Sequence, residues 1–195
     1  MTTPDPADFV RANTALAAPP LVPEIRLHLA TEVTPLWEAT EETLQKSNLP
    51  PPYWAFAWPG GQAVARHLLD HPDLVRGRRV VDFAAGTGLV AVAAMRAGAA
   101  SALALEIDAF ALAAIGLNAA LNGVAVDARM EDLVGGPLPG VDVVCAGDVC
   151  YEKPMSARVI PWLRRLAADG VTVILGDPGR RSEERRVGKE CRSRW

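Results

Sequence analysis

The apolar positions change their period along the chain. From Asp5 to Ala18 they recur weakly as on a helix, and the paired prolines at 19 and 20 end it. Glu24 to Ala30 alternates, with Ile25, Leu27 and Leu29 on one side, and predicts a short strand or extended arm. Thr34 to Leu44 reads as a helix capped by Thr34, with Pro35 at its first position. The stretch NLPPPYWAFAWPGG, residues 48 to 61, has too many prolines for a helix or a central strand. It is read as a loop carrying Tyr53, Trp54, Phe56 and Trp58.

After this loop the rhythm becomes regular. Helix 61–70 leads to strand Arg79 to Phe83, helix Leu89 to Ala97, strand Ala102 to Glu106, helix Ala109 to Leu121 and strand Val124 to Arg129. A second apolar run, Val141 to Ala146, precedes helix Pro154 to Ala168 and strand Val171 to Leu175. Strands alternating with helices of this length predict βαβ units, hence an α/β fold: a Rossmann-like parallel sheet with helices on both faces. The alanine-rich helices favour close packing as well as helix formation.

Half of the 195 residues are apolar and 22% are charged, enough for a packed core and unlike a disordered chain. No apolar run reaches the roughly 18 residues a membrane helix needs, and the start lacks the marks of a secretory or transit signal. A cytoplasmic protein with no membrane partner is expected.

The net charge of −3 conceals a contrast. Residues 181 to 195, RSEERRVGKECRSRW, hold six of the 20 basic residues and three of the 23 acidic ones, without helical or strand periodicity. The segment resembles an in-frame translation of a sequencing adapter and is set aside as an artefactual tail. The remaining body has 14 basic and 20 acidic residues, which argues against a nucleic-acid partner. Cys191 goes with the tail. Cys145 and Cys150 read as reduced thiols, and neither they nor His28, His67 and His71 show metal-ligand spacing, so no metal is expected.

The chemistry-bearing signal is the first βα junction, VVDFAAGTGLV. Gly86 and Gly88 allow close backbone approach to a nucleotide-like ligand at a helix N-terminus. Gly86, Gly88 and Ala91 satisfy G-x-G-x-x-G/A, and Glu106 follows 20 residues after Gly86, where a ribose-binding carboxylate belongs. Asp82, inside the strand, would repel a pyrophosphate but favour a cationic amino-acid ligand, which tilts the reading from NAD to S-adenosylmethionine. Glu131 and Asp132 follow the third strand, where a carboxylate can accept the adenine amino group. This order resembles class I methyltransferases, with Ala84 standing where their D-x-G-x-G-x-G motif has its first glycine.

WAFAWPGGQAVARHLLDHPDLVRGRRVVDFAAGTG, AGDVCYE and GDPGR together resemble the lysine methyltransferases that modify the β-subunit of electron transfer flavoprotein. These belong to the seven-β-strand group marked by D/E-x-x-Y/F, and the resemblance runs from about Thr34 to Arg180. It implies that Trp58, Gly60 and Gly61 wall the cofactor site, that Asp82, Gly86 and Gly88 line it, and that Glu106 and Asp132 take the ribose and the adenine. Asp148 and Tyr151 match the ends of D-x-x-Y and are the implied catalytic pair. Tyr151 and Trp54 are candidates to offer aromatic faces to a sulfonium or ammonium. For Asp148 a turn cap is the plain alternative, and for Trp54 and Trp58 it is core packing.

The expected organisation is an N-terminal helical or extended segment over 1–47, an S-adenosylmethionine-binding domain over 48–180 lacking the family's last two strands, and the tail over 181–195. The expected activity is methyl transfer to protein lysine, with electron transfer flavoprotein β-subunit as substrate. A ribosomal protein, a small amine or a non-catalytic nucleotide-binding scaffold are the alternatives.

Overall fold

Arg79–Phe83 buries Val80 toward one side and Val81 and Phe83 toward the other, and a strand apolar on both faces needs a layer against each. The computed structural model, which describes residues 5–31 and 51–179, supplies both layers. The sheet comprises β3 (Arg79–Phe83), β4 (Ser101–Glu106), β5 (Asp127–Met130), β6 (Val143–Gly147) and β7 (Thr172–Gly176). All its pairings are parallel, in the order β5-β4-β3-β6-β7.

Helices α2 (Pro59–Asp70), α3 (Leu89–Arg96) and α4 (Ala109–Leu121) cover one face, and α5 (Lys153–Ala168) covers the other. Val80, Val143 and Cys145 pack with Val64, Leu68, Val90 and Ala94, while Ala102 and Ala104 meet Ala91 and Ile115. On the opposite face Val81, Phe83, Leu105, Val144 and Ala146 pack with Val159, Trp162 and Leu163. The expected α/β architecture with helices on both faces is therefore the observed one. The chain runs outward from β3 to β5, then returns to place β6 on β3's other side, so the crevice beyond β3 and β6 is the topological switch point.

The N-terminal segment differs from its expected form. Helix α1 (Pro6–Asn13) stops early, because Thr14 is extended and its hydroxyl donates to the Val10 carbonyl at 2.6 Å. Ala15–Ala17 is then a strand, β1, pairing antiparallel with β2 (Leu27–Leu29). Val22, Ile25 and Leu27 join the α2–α3 core, and Val10 packs with Trp54 and Phe110. At about 1.5–3 kcal/mol for each such buried side chain, this contact is a major part of the fold.

Smaller differences have local causes. α2 begins at Pro59 rather than residue 61, because a proline at the first helical position loses no intrahelical bond. β5 begins at Asp127 rather than Val124, whose N–H is spent on the Ala119 carbonyl after left-handed Gly123. The expected helix Thr34 to Leu44, the first residues of the proline loop, Arg180 and the 181–195 tail lie outside the described residues. Among the described residues no helix is long and apolar enough to cross a membrane.

Candidate functional site

On the β3 side of the crevice the chain turns through three left-handed residues, Ala84 (φ 54°), Gly86 (φ 53°) and Gly88 (φ 74°). Gly88 caps α3, and a Cβ there would lie 3.1 Å from both γ-carbons of Ile115, so conformation and space both require glycine. Ala84 occupies the same region with a side chain, a conformation unfavourable for L-residues.

Two carboxylates brace this turn. Asp82 is 1% exposed, and its Oδ2 accepts the Ala91 N–H at 2.9 Å, compensating the N-terminus of α3. Burial pushes its carboxyl well above the usual carboxylate range; the Ala91 N–H pulls it back and the Glu106 charge adds to the rise. Glu106, at the end of β4, accepts Gly86 N–H on Oε1 at 2.8 Å and Ile107 N–H on Oε2 at 2.9 Å. Burial raises its carboxyl too, against both of those hydrogen bonds. The Asp108 N–H also bonds this carboxylate, which leaves about one of its four lone-pair sites unused.

On the β6 side, Asp148 is also left-handed, at φ 57°. Its Oδ2 accepts Gly61 N–H at 2.9 Å and its own N–H donates to the Gly176 carbonyl at 2.8 Å. Asp148 thus joins the first turn of α2 to the ends of β6 and β7. The elements meet glycine on glycine: a Cβ on Gly147 would lie 2.6 Å from Gly61 Cα, and one on Gly60 would lie 2.7 Å from Asp148 Oδ2. The glycines of W-P-G-G, A-G-D and G-D-P-G-R are one contact, in which a helix end rests directly on two strand ends.

Between the two sides opens a cleft of about 360 Å³, counting its mouth, lined by Phe56, Trp58, Gly61, Asp82, Ala84, Gly86 and Asp148 among others. It joins residues expected at the cofactor to the expected catalytic Asp148. Tyr151 stands at the rim, 42% exposed. Asp132 lies in the loop after β5. Its Oδ1 accepts Val134 N–H at 3.1 Å and its Oδ2 pairs with Arg158 at 2.8 Å, which together hold its carboxyl below the usual range. Trp54 is 2% exposed, stacked on Phe110 at 6.3 Å and edge-on to Phe9 at 6.4 Å. Its ring belongs to the core and not to the cleft; of its neighbours, Trp58 lines the cleft and Tyr53 is half-exposed.

Three supporting residues escaped the sequence reading. Asn118, fully buried in α4, accepts His28 N–H at 2.7 Å and donates to the Thr87 carbonyl at 2.9 Å, hanging the glycine turn from β2. An amide continuing the apolar stripe of Ala111, Ala114 and Ile115 was the available signal. Gln62 likewise accepts Leu21 N–H and donates to the Ala57 carbonyl. Ile107, directly after Glu106, is 75% exposed, and its N–H holds the Glu106 carboxylate. Cys145 is buried, and desolvation followed by the Asp82 charge drives its thiol far upward, which makes it inert. Among the described residues no three potential metal ligands come together.

The ribosomal protein L11 methyltransferase (PrmA) family model matches residues 67–148. A crystal structure of ribosomal protein L11 methylase from Lactobacillus delbrueckii subsp. bulgaricus aligns with a TM-score of 0.47 at 24% identity, covering 58% of this chain and 57% of that one. Among curated relatives, the electron transfer flavoprotein beta subunit lysine methyltransferase of Danio rerio is 36% identical over 179 residues, 90% of this chain and 68% of that protein. Its Xenopus laevis counterpart is 41% identical over 177 residues, 90% of this chain and 71% of that protein. With identity at that level across most of both chains, the chain belongs to the electron transfer flavoprotein beta subunit lysine methyltransferase family.

Proposed function

We propose that the protein transfers methyl groups from S-adenosylmethionine to lysine side chains of a protein, with electron transfer flavoprotein β-subunit as the acceptor. The observation that carries this reading is the left-handed turn Ala84–Gly88, held between Asp82 and Glu106 at the switch point and sharing one cleft with Asp148. The residues fit that cofactor. Gly86 presents bare backbone, Glu106 keeps acceptor capacity for a hydroxyl, Asp82 complements a cationic amino-acid end, and Phe56, Leu89 and Val90 give the cleft apolar walls. Trp58 and Gly61 line the β6 side, and Gly60, expected beside them, is instead buried against Gly176 and Asp148. Asp132, whose carboxylate is shared with Arg158, keeps acceptor capacity for the adenine amino group.

When bound, S-adenosylmethionine supplies an electrophilic methyl group on a sulfonium. The protein must then deliver a neutral amine, although free lysine has a pKa of about 10.4. Asp148 accepts an N–H of that amine and turns its lone pair into the cleft. The displaced proton leaves from nitrogen to water at the open mouth. Tyr151 flanks the approach, and alignment of donor and acceptor supplies most of the rate.

Calorimetry with S-adenosylhomocysteine and NAD, followed by mass spectrometry of flavoprotein β-subunit incubated with S-adenosylmethionine, tests the proposal. Binding of the former ligand alone and mass gains of one methyl unit on lysine are expected. NAD binding without a response to S-adenosylhomocysteine would overturn it. The L11 match over residues 67–148 makes ribosomal protein L11 the second acceptor to assay.

A further inference from the structure

The cleft wall continues outward as a row of aromatic rings. Tyr53 lies 6.2 Å from Trp58 and 6.2 Å from Tyr151, ring centre to ring centre, at interplanar angles of 57° and 51°. Trp58 also tilts against Phe56 at 5.7 Å, and both line the cleft. Rings that served only to pack would be covered, yet Tyr53 is 51% exposed and Tyr151 nearly as open.

The arrangement is fixed in advance. Pro51 and Pro52 restrict the chain before the single 3₁₀ turn Tyr53–Ala55, in which Tyr53 N–H donates to the Pro51 carbonyl and Ala55 N–H to that of Pro52. Ala30 N–H donates to the Ala55 carbonyl at 2.8 Å, tying the turn to β2's end, and the Trp58 indole N–H donates to the Tyr53 carbonyl at 2.9 Å. The turn sits over the glycine turn: a Cβ on Gly86 would lie 4.0 Å from the Tyr53 carbonyl oxygen. Holding open rings in one geometry removes the ordering cost that a ligand would otherwise meet.

The surroundings select charge. Tyr151's hydroxyl is pushed up first by burial, then by Glu152, Tyr53 and Glu106, so two carboxylates stand near this ring. Electron-rich faces in such company suit an alkylammonium ion.

We propose that Tyr53, Trp58 and Tyr151 form a collar that receives the cationic side chain of the acceptor lysine and sets the enzyme's affinity for it, with Tyr53 as the positioning residue at its centre. The assignment rests on the methyl-transfer reading. Trp58 is shared by the collar and the cofactor cleft, whereas Tyr53 belongs to the collar alone, so Tyr53 is the residue whose mutation separates acceptor from cofactor.

Three measurements on the full chain test it. In methyl-transfer assays with flavoprotein β-subunit, Tyr53→Ala raises KM for the acceptor about three- to thirtyfold, the span of a cation–π contact from open to desolvated sites. Tyr53→Phe recovers most of that loss, and neither variant changes calorimetric affinity for S-adenosylhomocysteine. Independently of turnover, choline perturbs tryptophan fluorescence saturably, its neutral isostere 3,3-dimethylbutan-1-ol does so far less, and Tyr53→Ala weakens the choline response. An equal response to both probes, or a choline response unchanged in Tyr53→Ala, overturns the collar. Loss of S-adenosylhomocysteine affinity in Tyr53→Ala also overturns it, by placing the ring at the cofactor. Failure of the unmutated protein to bind S-adenosylhomocysteine counts instead against methyl transfer, and the choline measurement then decides the collar alone.

Discussion

On the β3 side of the crevice the carboxylates of Asp82 and Glu106 accept the main-chain N–H groups of Ala91 and of Gly86 and Ile107, whereas on the β6 side Tyr53 and Tyr151 leave about half their surface open. The first side has little freedom and carries buried carboxyls; the second presents rings held by a stiff turn. A ligand common to every catalytic cycle suits the first construction. A protein surface that must arrive and depart suits the second, because half-open aromatic groups gain burial only while the partner is present.

The sharpest way to break this division is at the contact both sides share. Gly147→Ala puts a methyl group 2.6 Å from Gly61 Cα, backbone that cannot move aside without unseating α2. A loss of about 3 kcal/mol in urea unfolding is expected. A small loss would show that α2 slides freely over the strand ends.

Asp148 tests the β6 side alone. Asp148→Ala and Asp148→Asn should each lower methyl transfer about a hundredfold. Only the alanine variant should lower the melting temperature, since asparagine can still accept the Gly61 N–H and tolerates the left-handed region. Retained turnover in the asparagine variant would make Asp148 a cap and nothing more.

Asp82 tests the β3 side through pH. A carboxyl whose pKa is raised by folding holds its proton to higher pH in the native state, so stability is lost as pH rises from the unfolded value, about 3.9, through the raised native one. Asp82→Asn removes that loss. Its melting temperature should exceed the unmutated protein's by a few degrees at pH 8, with the gap closing toward pH 4, while affinity for S-adenosylhomocysteine falls. A gap independent of pH would mean that ionisation is not the source of the cost.

The smallest effect is expected from Ala84→Gly. Releasing a left-handed alanine returns about 1–2 kcal/mol, and the entropy of an added glycine takes back about half. A rise of about 1–4 °C in melting temperature with unchanged cofactor affinity should result.

Local signals made the parallel sheet legible: β3 and α4 have their expected limits, because both are set by apolar periodicity bounded by turn or capping residues. β1 was not legible, since Ala15–Ala17 becomes a strand only by pairing with Leu27–Leu29. Within the site, the glycine turn and Glu106 stood out by spacing, as did D-x-x-Y. The commitment of Asp148 to Gly61 did not, for it joins positions 87 residues apart. Nor did the burial of Trp54 beside the open Tyr53, as neighbours in a proline loop differ only in which way the turn points them.

The Asn118 bridge has a consequence for the order of folding. It joins His28 and Asn118 across 90 residues, so the β1–β2 unit leaves the ribosome long before its anchor exists. Closing so long a loop is entropically costly, and we expect the unit to dock late, after local β3–β4 pairing. Thr87's carbonyl gains its support only then. A nascent chain with the central strands formed should still bind S-adenosylhomocysteine poorly, and ligand affinity during refolding should lag behind the appearance of sheet.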